Sequence, residues 1–190
     1  MIDPSVAARY GHTVKRALLI VLIPLLWGCA TTGQTQADRL LALYPPERPF
    51  AESRFSSFGG ITLHYRTWAP DGIPRGKILL LHDAGGSTVT FRKLGPELAE
   101  AGYAVVTVDL PAFGYSDLAL DFDHTLANRA GLLWTLLDRL DTEENAFPPA
   151  DTWVVGGHGT GGRVAAQMAA DRPARARGLL LFASDLTRRG

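Results

Sequence analysis

Four short apolar runs, each closing on a cluster of glycine, aspartate or histidine, constrain this chain more than anything else in its sequence. They are Lys77-Ile78-Leu79-Leu80-Leu81, Ala104 to Val108, Trp153-Val154-Val155 and Leu179 to Phe182. Runs of this length with little polar alternation read as strands buried on both faces, which is the mark of a parallel sheet. Between them the pattern turns helical. Phe91 to Ala101 reads as a helix interrupted near Gly95-Pro96, with Gly102 at its C-terminal end. His124 to Leu140 places Leu126, Leu133, Leu136, Leu137 and Leu140 on one helical face, and Gly162 to Ala170 reads as a further helix. Upstream, Arg54 to Phe58 and Ile61 to Trp68 form a hairpin across Gly59-Gly60, followed by a turn at Pro70-Asp71-Gly72. The expected fold class is α/β, a mostly parallel sheet with helices on both faces. Ligands of such sheets bind beyond the carboxyl ends of the strands, so the loops after Leu81, Val108, Val155 and Phe182 are the places to look.

Composition narrows the function classes. Nineteen basic residues balance nineteen acidic ones, and a net charge of zero argues against a nucleic-acid partner. One cysteine, Cys29, excludes a disulfide framework within the chain, and no Cys/His group has zinc spacing. No internal repeat or low-complexity tract interrupts the pattern.

The single cysteine has its own context. Lys15 and Arg16 precede the uncharged run Ala17 to Trp27, and Gly28-Cys29 follow. A basic start, about eleven apolar residues and a small residue make a secretory signal, short of the roughly 20 residues of a membrane span. Val14-Lys15-Arg16 makes a more usual start for such a signal than Met1. The segment Leu26-Trp27-Gly28-Cys29 resembles a bacterial lipobox, with Trp27 where a small residue is usual. That resemblance implies cleavage before Cys29, lipid on its sulfur and a bacterial cell-envelope location facing the periplasm. Ala30 in place of Asp implies the outer membrane over the inner one. The expected organisation is a signal peptide over residues 1–28, a polar and Pro-rich tether over 29–50, and a domain over 51–190.

Three of the strand-end loops carry chemistry. The first is His82-Asp83-Ala84-Gly85-Gly86-Ser87, and the second Asp109-Leu110-Pro111-Ala112-Phe113-Gly114-Tyr115-Ser116-Asp117. The third is Gly156-Gly157-His158-Gly159-Thr160-Gly161-Gly162. In that order and spacing they resemble the α/β-hydrolase superfamily over roughly residues 54–185. The first is similar to its His-Gly-x-Gly oxyanion loop, the second to its Asp-x-x-Gly-x-Gly-x-Ser turn, and the third to its nucleophile elbow Gly-x-Ser-x-Gly. Asp171-Arg172-Pro173 leading into Leu179 resembles the return from the elbow helix to the next strand.

The resemblance implies ester or amide cleavage through an acyl-enzyme, no cofactor, and a small-molecule acyl substrate. It also implies that Gly157, His158 and Gly161 frame the elbow, and that the backbone amides of Ala84 and Thr160 hold the oxyanion. His82, Asp83 and Gly85 belong to the oxyanion loop, where Asp83 replaces a glycine; Ala112 replaces another in the second turn. The largest departure is at the nucleophile position, which is Gly159. Glycine has no group to attack with, and Thr160 comes one residue too late. Covalent catalysis from this elbow is therefore not expected.

In the superfamily the acid and histidine follow the nucleophile in the chain. The five histidines are His12, His64, His82, His124 and His158, none at the position of the family's base. His82 and His158 flank the site, where such histidines are mostly structural in the family. Asp185 could serve as the acid of a minority arrangement or sit in an exposed loop. Residues 51–190 are short for the whole fold, so the last strands, cap and catalytic histidine are expected to be missing. A sheet ending on Leu179 to Phe182 leaves an apolar edge, with aggregation as the expected cost.

Two alternatives stay open. One is a non-catalytic, ligand-binding lipoprotein that keeps the pocket without turnover. The other reads Gly157-His158-Gly159-Thr160-Gly161-Gly162 as Gly-x-Gly-x-x-Gly, a dinucleotide-binding turn with Asp185 on the ribose. Against that second reading, two βα units and a hairpin precede the turn, whereas the fingerprint normally opens a domain.

Overall fold

The computed structural model describes residues 49–143 and 152–187. The described residues all belong to one compact unit, residues 48–190. Cys29 and the lipobox lie outside the described residues.

Six strands form one sheet. β1 (Ser53–Phe58) and β2 (Ile61–Trp68) make the expected hairpin across Gly59 and Gly60, both at positive φ. β3 (Lys77–Leu81), β4 (Ala104–Val108), β5 (Trp153–His158) and β6 (Ala176–Phe182) follow the apolar runs. The spatial order is β1-β2-β4-β3-β5-β6, with β1, β2 and β4 antiparallel and the remaining pairs parallel. β5 and β6 are longer than their apolar runs suggest. β5 continues through Gly156 and Gly157 to His158, because those glycines still pair with Leu180 and Leu181 of β6.

The alternation of a strand divides β3 between two cores. Leu79 and Leu81 face one helical layer, in which α2 (Leu126–Thr142) and α3 (Thr160–Asp171) pack through Leu133, Leu136, Leu137, Leu140, Val164 and Met168. Ile78 and Leu80 face the other, where Phe91, Leu94 and Leu98 meet Val105 and Trp68. Fully burying each such leucine contributes about 1.5–3 kcal/mol before chain entropy is counted.

The interrupted helix predicted over 91–101 resolves into a 3-10 turn at Thr88–Phe91 and a short α1 (Leu94–Glu100). Pro96 is tolerated there because it stands in the first turn, where an amide has no helical partner. α2 starts at Leu126, with the Thr125 hydroxyl accepting from the Asn128 amide at 3.4 Å. At the far side of the sheet, Leu179, Leu180, Leu181 and Phe182 of β6 are each about two-fifths exposed. Below β3, buried Lys77 is ion-paired to Asp141, which also accepts from Trp153 Nε1 at 3.1 Å.

Candidate functional site: the elbow and its two neighbouring loops

The C-terminal ends of β3, β4 and β5 bring the three loops together. At the end of β5 the chain turns at Gly159, with φ 51° and ψ −116°, and enters α3 at Thr160. This is the sharp strand-to-helix turn of a nucleophile elbow. Its flanking glycines are sterically required. A Cβ on Gly157 would overlap the backbone of Gly161, and one on Gly161 would overlap the backbone of Leu81 and His82.

Gly159 differs from them. The three atoms nearest a Cβ there are not backbone; they are the carboxylate of Asp83, which it would overlap. Asp83 reaches across from the end of β3, and its Oδ1 accepts the Thr160 amide at 2.7 Å. That amide bond, with further hydrogen bonds from the Ala84 amide and the Thr160 hydroxyl, holds the Asp83 carboxyl below its usual range. One of the two amides expected to hold a substrate oxyanion, that of Thr160, therefore holds an aspartate of the chain itself. His158, two-fifths exposed, stands with Nδ1 3.9 Å from Asp83 Oδ2.

His82 has a fixed structural role. Its Nε2 accepts the Leu110 amide at 3.0 Å, so Nδ1 carries the proton and donates to the Asp83 carbonyl at 2.7 Å. The ring is fully buried, and burial pushes its pKa down, keeping it neutral. It ties the first loop to the second and has no free nitrogen for chemistry. Asp185 lies past β6, exposed, where its Oδ1 accepts from the Thr187 amide at 2.9 Å and the Thr187 hydroxyl at 2.6 Å. Gly85 sits at φ +75° in open space.

The second loop holds an arrangement that the sequence did not disclose. Asp109, at the end of β4, accepts His64 Nδ1 at 2.7 Å, the Tyr115 amide at 2.9 Å and the Thr88 amide at 2.5 Å. Burial alone would raise its pKa, but the bonds from His64, Tyr115 and Thr88 outweigh it and hold the carboxyl low. On the other side of the ring, His64 Nε2 lies 2.8 Å from Ser53 Oγ, which also accepts the Phe50 amide at 3.1 Å. Ser53–His64–Asp109 thus repeats the hydrogen-bond order of a catalytic triad. All three are buried, Ser53 to 2% exposure and the others to 0%. Phe50, Phe55 and Tyr115 pack around the imidazole. The register of β1, β2 and β4 creates this relay: Phe55 pairs with His64, and Tyr65 with Val108. No local motif announces it.

Gly114 and Ala112 shape the same loop. A Cβ at Gly114 would overlap the Asp109 carboxylate, whereas Ala112 adopts φ +72° with its side chain in place. The alanine at position 112 therefore holds its backbone at a conformational cost. Among the described residues no group of three or more His, Cys, Asp or Glu could hold a metal ion.

Comparison with known proteins agrees with this geometry. The family model for the alpha/beta hydrolase fold matches residues 77–188, more than half of the chain. The magnesium-chelatase 30 kDa subunit of Rhodobacter capsulatus is 40% identical over 102 residues, covering 50% of this chain and 31% of that protein. The dihydrolipoyllysine-residue acetyltransferase component of the acetoin cleaving system of Cupriavidus necator is 33% identical over 167 residues, covering 84% of this chain and 40% of its own length. Among solved structures, a probable hydrolytic enzyme of Pseudomonas aeruginosa superposes with a TM-score of 0.61 at 25% identity, covering 70% of this chain and 40% of that one. The chain spans about a third to two-fifths of the length of these two curated relatives.

Proposed function

We propose that this chain, which belongs to the α/β-hydrolase fold family, carries the acyl-binding elbow of an ester- or amide-cleaving lineage without turning substrate over at that elbow. In the parent reaction a side chain at position 159 attacks an acyl carbonyl, and the amides of Ala84 and Thr160 hold the oxyanion. Here the elbow keeps its backbone shape while position 159 is glycine. The observation that carries the reading is the Asp83 carboxylate on the Thr160 amide, 2.7 Å away, where that oxyanion would sit. The ligand class we assign is a small acyl compound, in keeping with the acetyltransferase relative's name.

The experiment is hydrolysis of p-nitrophenyl esters by the full chain. The expected result is no turnover above the uncatalysed rate. Turnover at an ordinary serine-hydrolase rate would contradict the reading.

The second reading, a non-catalytic ligand-binding lipoprotein, rests on the glycine at position 159 and on the lipobox-like segment before Cys29. It places the chain at the bacterial envelope through lipid on Cys29, periplasm-facing and on the outer membrane in preference to the inner. Metabolic labelling with a palmitate analogue should mark the wild type and not Cys29→Ala; equal labelling of both would remove the anchor. The dinucleotide alternative fares worse, because the Asp83 carboxylate stands at the start of α3 where a pyrophosphate would need positive potential.

A further inference from the structure

We infer that Asp83 is a built-in plug of the elbow, and that positions 83 and 159 exclude each other's side chains. The carboxylate fills two spaces at once. Its Oδ1 takes the Thr160 amide at 2.7 Å, and its Cγ and Oδ1 lie where a Cβ on residue 159 would be. Gly157 and Gly161 are glycines because backbone crowds them, whereas the three atoms nearest a Cβ on Gly159 all belong to this one side chain. Asp83 is two-fifths exposed, and what overlaps position 159 is the end of a side chain and not backbone. A side chain at 159 therefore evicts it instead of being barred outright. An external oxyanion likewise reaches the Thr160 amide only after Asp83 has left it, which makes the contact autoinhibitory. The facing ionisable group is His158, from the end of β5.

Its autoinhibitory sense rests on the elbow reading above, while the coupling of these two positions is read by an experiment separate from ester turnover. The test is a double-mutant cycle in the full chain with Gly159→Ala and Asp83→Ala. In the wild-type background, Gly159→Ala bears both the strain of φ +51° and the loss of the carboxylate's hydrogen bonds. With Asp83→Ala in place only the strain remains. The expected drop in Tm on Gly159→Ala is about twice as large, or more, in the wild-type background. Equal drops in both backgrounds overturn the inference. A second readout covers a variant too unstable for the cycle. The side-chain carboxyl of Asp83, followed by carbon NMR in Gly159→Ser, should titrate nearer the ordinary aspartate value than in the wild type. An unchanged midpoint overturns the inference as well.

Discussion

Two regions of this molecule, both at the carboxyl end of the sheet, divide the requirements of a hydrolase between them. The buried relay Ser53–His64–Asp109 has a hydroxyl, an imidazole and a carboxylate in the right bonding order, at 2.8 Å and 2.7 Å. It lacks access, since Ser53 is 2% exposed and its oxygen also accepts the Phe50 amide. The elbow has the strained turn and the helix start, but position 159 is glycine and the Thr160 amide is taken by Asp83. Hydrogen-bond order alone does not make a catalytic site. A substrate carbonyl must also reach the nucleophile with preorganised donors around it. The relay is therefore structural: it pins β1, β2 and β4 to the loop that carries Asp109.

The largest expected effect comes from that assignment. Asp109→Ala should cost about 3–5 kcal/mol in urea unfolding, because His64 and two amides lose a buried partner. A cost below about 1 kcal/mol would remove the structural role. The same residue shapes the pH dependence. Asp109 and Asp83 have lowered carboxyl pKa values and His82 a lowered imidazole pKa. In each case the unfolded chain binds the proton more readily, so stability is full above the unfolded value and is lost as pH falls through the folded one. Stability should begin to decline as pH drops below the ordinary imidazole value, and decline further in the acid range through the carboxylates. Asp109→Ala should flatten that second limb; an undiminished one would show that other groups cause it.

Ser53→Ala should cost about 1–2 kcal/mol, since it strips His64 Nε2 of a buried partner. No fluorophosphonate label should appear on Ser53 in the wild type. Labelling there would break the comparison, because it would give the relay the access that its burial denies. The smallest effect concerns the second loop. Ala112→Gly should gain up to about 1 kcal/mol in the same unfolding experiment by relieving φ +72°. A loss would mean that the alanine methyl packs favourably enough to offset its backbone strain.

These two regions were not equally legible. The strands could be read because Leu79, Leu80 and Leu81 are apolar without alternation, and because β3, β4 and β5 are buried on both faces, as such runs require. The elbow could be read because Gly157 and Gly161 answer to local backbone crowding, and local crowding leaves a local motif. Asp83 was legible only as a departure from a glycine. Its occupation of the Thr160 amide depends on two loops separated by 77 residues, and nothing in either loop marks the other. The relay was hidden more thoroughly. Ser53 and His64 lie in β1 and β2 and Asp109 directly follows β4, and the order β1-β2-β4 is fixed by sheet pairing and by no spacing along the chain. The boundary of β5 shifted for a related reason: pairing with β6 carries it through two glycines that read as loop.

The Thr160 amide proton tests the central claim most directly, followed by NMR as the pH is lowered. With the Asp83 carboxylate seated on it, this proton should shift as that carboxyl protonates. The midpoint should lie below the ordinary aspartate value, and the response should vanish in Asp83→Asn. A Thr160 amide that ignores pH through the carboxylate range, or that titrates identically in the variant, would contradict an elbow occupied by its own aspartate.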